Sequence, residues 1–203
     1  MNLISCVHNF NIPVTGIIQV GASIGHELYE FRNLSIDKVV MFEPLSWPYQ
    51  QLLSKIQTDK RFKAYQYALG SAPGIAEMFV ADNDQQSSSL LDPAPVNQYY
   101  PSLNFTHKET VEIKLLDDFL AETSGCNCLL IDTQGYETEV LRGATETLKQ
   151  IDCVFLEVSR VELYKNNARM SDIDQILSTY GLHMVADHWH HPIHGDAFYM
   201  KKS

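Results

Sequence analysis

Short apolar runs alternate with stretches of helical spacing along most of the chain, and that alternation limits the fold more than any other feature. Residues 16–20, 38–42, 62–68, 127–131 and 153–158 are apolar runs of strand length, read as strands buried on both faces of a sheet. Helical spacing follows the first run, where Ser23 is a candidate cap and Ile24, Leu28 and Phe31 share a side. It recurs in 46–56, with Ser46 as candidate cap, and in 136–149, with Val140, Leu141, Ala144 and Leu148 inward. Residues 171–180 carry a capping-box pattern at Ser171 and Asp174, an apolar stripe through Ile173 and Leu177, and a stop at Gly181. Residues 74–80 read as a strand with a hairpin partner at 87–91. Residues 111–115 read as an edge-like strand before a short helix at 116–123. Residues 182–186 and 197–201 close the chain as a strand pair. These units predict an α/β fold with a mostly parallel central sheet, helices on both faces and an antiparallel C-terminal pair.

The 203 residues suit one domain, 1–203, with one sizeable core. No apolar run is long enough to cross a bilayer, and the first twelve residues lack a basic start and an apolar stretch. A soluble, cytoplasmic protein without a membrane partner is therefore expected. The formal net charge of −10 and the pI near 5.1 argue against nucleic acid as a partner. Cys126 and Cys128 have no second pair to complete a zinc site, and Cys128 and Cys153 fall in or beside apolar runs, where cysteine acts as a small hydrophobe. Neither a disulfide nor a zinc site is expected. Two glycosylation sequons, at Asn33 and Asn104, carry no meaning in an intracellular protein.

In open parallel sheets, ligands bind beyond the carboxyl ends of the strands. After the first strand comes Gly21-Ala22-Ser23-Ile24-Gly25. Two glycines permit a tight turn and a close ligand approach, and the following helix offers free N–H groups to a carboxylate. The spacing is not the GxGxxG of a dinucleotide fingerprint, which argues against a nicotinamide dehydrogenase. The second strand ends in Phe42-Glu43-Pro44, about twenty positions on, where an acid can accept both hydroxyls of a ribose; a surface glutamate is the plainer alternative. Ala68, at the end of the third strand, would form a flat wall beside an adenine.

At this point the chain resembles the FkbM-type methyltransferases. The matching pieces are Val20 to Gly25, Phe42-Glu43-Pro44, Ala68-Leu69-Gly70, Ser88-Ser89-Leu90 and Leu116 to Leu120. They continue through Leu130 to Glu137, Val140 to Ala144, and Phe155-Leu156-Glu157-Val158, in order along most of the chain. The resemblance implies a Rossmann-like class I methyltransferase fold and an enzyme that uses S-adenosylmethionine to methylate a hydroxyl of a small molecule or glycan. It implies that Gly21 and Gly25 bracket the methionine part and that Glu43 holds the ribose. The candidate cofactor-binding set is Gln19, Gly21, Ala22, Ser23, Gly25, Glu43, Pro44, Ala68 and Asp132. Two positions depart from the family. Gln19 stands where an acid is usual, and Gln134 stands where the motif carries glutamate. Both leave open a second class of reading, a catalytically impaired cofactor-binding regulator or scaffold.

Methyl transfer needs an aligned acceptor and excluded water, and a hydroxyl acceptor also needs a base or a metal. Asp132 and Glu157, at the ends of the fourth and fifth strands, are candidates to anchor the acceptor, take a proton or hold a divalent ion. The alternatives are helix capping for Asp132 and a structural carboxylate for Glu157. Residues 187–196 hold four histidines and two aspartates between the closing strands. His188 and His190 are candidate bases, though an ordinary loop or a metal site also fits this composition. Trp189, Tyr99 and Tyr100 suit a sugar-stacking wall, the core or a homodimer interface. Residues 92–107 form the longest irregular stretch and the candidate acceptor loop, and Ser87 to Ser89 are either a lid or a solvated turn. Arg142 reads as a solvated helix residue.

Overall fold

A computed structural model describes residues 1–201. Helix α1 (Leu3–Asn9) precedes strand β1 (Ile17–Val20), helix α2 (Leu28–Arg32), β2 (Val39–Phe42), α3 (Ser46–Ile56), β3 (Phe62–Tyr65) and β4 (Ala68–Leu69). Then come β5 (Gly74–Ala81), β6 (Phe105–Lys114), α4 (Leu120–Thr123), β7 (Cys128–Ile131), α5 (Glu137–Arg142) and α6 (Thr147–Gln150). The chain continues through β8 (Cys153–Ser159), α7 (Met170–Ser178), β9 (Leu182–His191) and β10 (His194–Lys201).

Seven strands form the main sheet in the order β3-β2-β1-β7-β8-β10-β9. The first five run parallel, β10 pairs antiparallel with β8, and β9 pairs antiparallel with β10 at the edge. Every residue of β1, β2 and β7 is buried. Alternate residues enter two cores: Ile18, Val40 and Leu129 pack on one face, Ile17, Val39 and Cys128 on the other. Burying such aliphatic side chains contributes about 1.5–3 kcal/mol each, which makes these central strands the rigid part of the molecule. A smaller sheet, β4-β6-β5, sits to one side.

The α/β architecture with its antiparallel C-terminal strands is as expected, and several local expectations are corrected. Ser89 makes only one bridge to β5, at Phe79, while β6 pairs along the whole of β5 and starts earlier than 111. The helix expected over 136–149 breaks at Gly143, where an added Cβ would lie 2.0 Å from the Gly70 carbonyl oxygen. None of the expected serine caps forms. Ser23 has φ +46 and precedes the helix, Ser46 donates to Glu109, and Asp174 is taken by the Tyr199 hydroxyl. Cys128 and Cys153 are partnered across adjacent strands with Cα atoms 5.1 Å apart, within disulfide reach. That corrects the reading of two isolated thiols. Finally, residues 187–196 are no loop: β9 and β10 run through them as a hairpin. No helix among the described residues is long and apolar enough to cross a membrane.

Candidate functional site

The parallel register sets the site. Val20 pairs with Phe42 and with Ile131, and Ile131 pairs with Leu156. The next residues, Gly21, Glu43, Asp132 and Glu157, therefore form a row along the carboxyl edge of the sheet. Gly21 has φ +82, and a Cβ there would fall 1.8 Å from the Asp132 carbonyl oxygen. Only glycine lets the turn press so closely on β7. Gly25 also has positive φ, but its absent Cβ makes room for Leu28 and Leu52. It packs α2 on α3 and does not border the cavity described next.

That cavity, of about 240 Å3, is bordered by Gly21, Ala22, Ser23, Glu43, Pro44, Ala68 and Asp132, all expected from the sequence. Glu27 and Asp132 are among its walls, as are the apolar side chains of Leu45, Leu69, Met78 and Leu90. Glu43 is buried, and its two oxygens accept from the backbone N–H groups of Ser23 and Leu45, at 2.8 and 2.9 Å. Burial pushes its carboxyl up to about 7 against those two hydrogen bonds. Each oxygen keeps a lone pair for a further donor.

Gln19 lies behind this cavity. Its side-chain Nε2 donates to Glu27 Oε2 at 2.7 Å, while its Oε1 is buried without a partner. The Gln19 amide is thus joined directly to a carboxylate, that of Glu27. Ser23 Oγ and Gln85 Oε1, both on residues at the cavity wall, are likewise buried and unpartnered. Unpaired buried polar atoms are costly in a closed protein and are met by ligands.

A second cavity, of about 460 Å3, adjoins the first and shares Asp132, Gln134 and Gln86 with it. Glu157, Tyr164, Tyr100, His194 and Asp82 are among its walls. Gln134 is the joint. Its Nε2 donates to Asp132 Oδ1 at 2.7 Å and to Glu157 Oε2 at 2.9 Å. The Tyr164 hydroxyl lies 3.0 Å from Gln134 Oε1 and 2.9 Å from the Ser87 carbonyl oxygen. Gln134 therefore does more than remove a carboxylate, as the sequence suggested; its amide bridges two. Enclosure by the protein, then Glu137 and Asp196, pushes Glu157 up to about 8. Asp132 is open to both cavities, yet the protein mass around it and the nearby Glu157 hold it well above the usual carboxylate range. Glu137 is buried and accepts from Thr133 and Gly135, so it shapes the turn that carries Gln134.

The candidate bases of the tail separate here. His190 Nε2 meets Asp196 Oδ2 at 2.6 Å, and the His188 ring packs on that of His190, 4.8 Å between centroids. Neither borders the two cavities. The sequence missed His194, whose Nδ1 is 3.2 Å from Glu157 Oε1, along with Glu27 and Tyr164. His194 lay in the histidine-rich stretch already singled out; Tyr164 carried no sequence signal. Among the described residues, no three His, Cys, Asp or Glu side chains converge as a metal-ligating group.

The sequence matches the family model described as a methyltransferase FkbM domain over residues 19–184. The 2-O-methyltransferase NoeI of Sinorhizobium fredii is 23% identical over 179 residues, spanning 84% of this chain and 74% of that protein. Methyltransferase 1 of Beauveria bassiana is 27% identical over 161 residues, 70% of this chain and 64% of that one. Among solved structures, magnesium protoporphyrin IX methyltransferase from Synechocystis, with S-adenosylmethionine bound, superposes with a TM-score of 0.53 at 8% identity. That match covers 98% of this chain and 76% of the other. Fibrillarin from Aeropyrum pernix, also bound to S-adenosylmethionine, gives 0.54 at 11% identity, covering 92% and 66%. At such identities these two structures establish the fold.

Proposed function

The chain belongs to the methyltransferase FkbM family of S-adenosylmethionine-dependent methyltransferases, and from that premise we propose that it methylates a hydroxyl oxygen of a neutral, polyhydroxylated small molecule or sugar. The observation that carries this reading is the meeting of two cavities at Asp132 and Gln134. One suits the cofactor and the other the acceptor, so the reacting atoms would face each other across that joint.

The first cavity fits S-adenosylmethionine in its chemistry. The N–H groups of Gly21, Ala22 and Ser23 are spent on Phe42 and Glu43, so the unpartnered Ser23 Oγ would donate to the carboxylate, and Glu27, braced by Gln19, would receive the ammonium. The spare lone pairs of Glu43 suit the ribose hydroxyls, and the apolar wall at Ala68 and Leu69 suits the adenine. The cofactor supplies a methyl on a sulfonium, which leaves as a thioether. The chain's own residues hold the acceptor in line and keep water out. The second cavity offers carboxylates, an amide and tyrosine hydroxyls, and none of the described residues that border it is Lys or Arg. A phosphate or carboxylate there would meet the Asp82 carboxylate and raise the energy of ionising Asp132 and Glu157, with no Lys or Arg to answer it, so an uncharged polyol is favoured. The 2-O-methyltransferase among the relatives supports oxygen as the methylated atom.

Calorimetry with S-adenosylmethionine, S-adenosylhomocysteine and NAD tests the first half. Heat with the first two only is expected, and Glu43→Ala weakens that binding by about 1–3 kcal/mol, the scale of hydrogen bonds to a charged group. An unchanged dissociation constant would refute the role given to Glu43. Mass spectrometry of matched sugars, free and phosphorylated, tests the second half; binding without transfer to any acceptor would favour the scaffold reading.

A further inference from the structure

We propose that His194, held by Glu157, is the base that takes the acceptor's hydroxyl proton. The assignment rests on O-methylation being the reaction. Strand β10 runs antiparallel to β8, with His194 opposite Ser159 and Asp196 opposite Glu157. Residues two apart on a strand share a face, so His194, Asp196 and Glu157 project to the same side. His194 is diagonal to Glu157, and its Nδ1 stands 3.2 Å from Oε1. Glu157 is raised to about 8; once ionised, above that value, its carboxylate at Nδ1 favours the tautomer with hydrogen there and leaves Nε2 free to accept.

The hairpin around this ring is built and fastened. The pairing of β9 with β10 jumps from His191 to Trp189, which leaves His190 as the extra residue of a bulge. Gly195 permits it, because a Cβ would lie 2.2 Å from the His188 carbonyl oxygen. The turn is pinned to the end of β8, where Arg160 N and Ser159 Oγ both donate to the Ile193 carbonyl oxygen, at 2.8 and 3.2 Å. His190 is drawn off to Asp196, and His188 packs on His190. Of the four histidines, His194 alone borders the acceptor-side cavity and touches a carboxylate shared with the joint at Gln134.

In the step, the acceptor oxygen gives its proton to His194 Nε2 as its new bond to the methyl carbon forms. The carbon–sulfur bond breaks, its electron pair stays on sulfur, and imidazolium remains beside Glu157. The charged and titratable groups facing the ring are Glu157 from β8, Asp196 from its own strand, His190 and His191 from β9, and Tyr100 from the loop before β6. Protonation of Glu157, raised to about 8, removes the carboxylate that holds the tautomer, so the rate should fall as pH drops below that value.

The test uses the whole chain, S-adenosylmethionine and neutral methyl hexosides as acceptor probes, with release of S-adenosylhomocysteine followed from pH 5.5 to 9. His194→Gln should lower kcat at least 100-fold and remove the acid limb, while affinity for S-adenosylhomocysteine stays within twofold. Its loss should exceed that of His188→Gln by at least tenfold. A variant within fivefold of wild type that keeps the acid limb overturns the proposal. Nitrogen-15 spectra of histidine-labelled wild type with S-adenosylhomocysteine decide separately, without any acceptor. At pH 9, where Glu157 is ionised, neutral His194 should carry hydrogen on Nδ1, and Glu157→Gln should disturb that preference; hydrogen on Nε2 at that pH overturns the proposal. Failure of every hexoside counts against the acceptor class, and the tautomer still judges His194.

Discussion

The two halves of the site are made by opposite means. The cofactor-side half rests on strand ends, β1, β2 and β7, whose register alone aligns Gly21, Glu43 and Asp132. Its contacts to the turn are largely backbone, as in the two N–H groups that Glu43 accepts. The acceptor-side half is assembled from side chains that are remote in sequence: Gln134, Glu157, Tyr164 and His194, with Ser87 and Asp82 from the far loop. Backbone recognition tolerates little change in shape but much change in side chain. A side-chain network has the reverse tolerance. Under the proposed function, that difference suits a fixed cofactor on one side and an acceptor selected by side chains on the other.

The largest effect should come from disturbing the backbone half. Gly21→Ala forces a side chain into positive φ and against the Asp132 carbonyl. Such conformations cost about 1–3 kcal/mol before any overlap is counted. Binding of S-adenosylhomocysteine should fall at least 100-fold, roughly 2.7 kcal/mol, with a clear drop in Tm. Gly74→Ala is the control, since nothing lies within 4 Å of its added Cβ; its Tm should hold within about a degree. Equal behaviour of the two variants would break the contrast drawn here.

A middling and pH-dependent effect is expected in the side-chain half. Gln134→Glu keeps the side chain's length but removes two N–H donations and adds a third carboxyl beside Asp132 and Glu157. Glu157 is already raised to about 8. A carboxyl raised by folding contributes stability that is present below its ordinary pKa and lost as pH rises through the raised value. Adding a carboxyl should therefore be mild at pH 5 and cost about 2 kcal/mol near pH 8.5, a fall in Tm of roughly 5 °C for a chain of this size. Thermal melts at the two pH values check it. An equal shift at both would mean that the amide, and not charge, is what the position needs.

This division also explains what could be read in the sequence. A parallel strand and the residue after it are neighbours in the chain, so Gly21, Glu43 and Asp132 were legible as a row once the strands were found. The histidine hairpin was not. Alternation alone cannot reveal the bulge at His190, which depends on Gly195 lying against the His188 carbonyl. The sequence therefore pointed to His188 and His190 and passed over His194. The serine caps failed for a related reason: tertiary partners such as Glu109 for Ser46 compete with the helix end, and a local pattern cannot see them. Glu27 gave no signal because it precedes a helix of five residues that has no side-chain cap.

The smallest effect tests whether the border between the halves is sharp. Glu27 belongs to the cofactor side by position, yet it acts through a side chain, braced by Gln19 Nε2 at 2.7 Å. Glu27→Gln keeps the shape and removes the charge. If Glu27 faces the ammonium, affinity for S-adenosylhomocysteine should drop about tenfold, near 1.4 kcal/mol. Affinity for methylthioadenosine, which has no amino-acid end, should not change. Adding Gln19→Glu to the same variant returns the charge one position inward and should recover most of the loss. A fall of equal size for both ligands would show that Glu27 supports the turn as a whole. Its side chain would then serve the backbone, and the border would lie at Asp132.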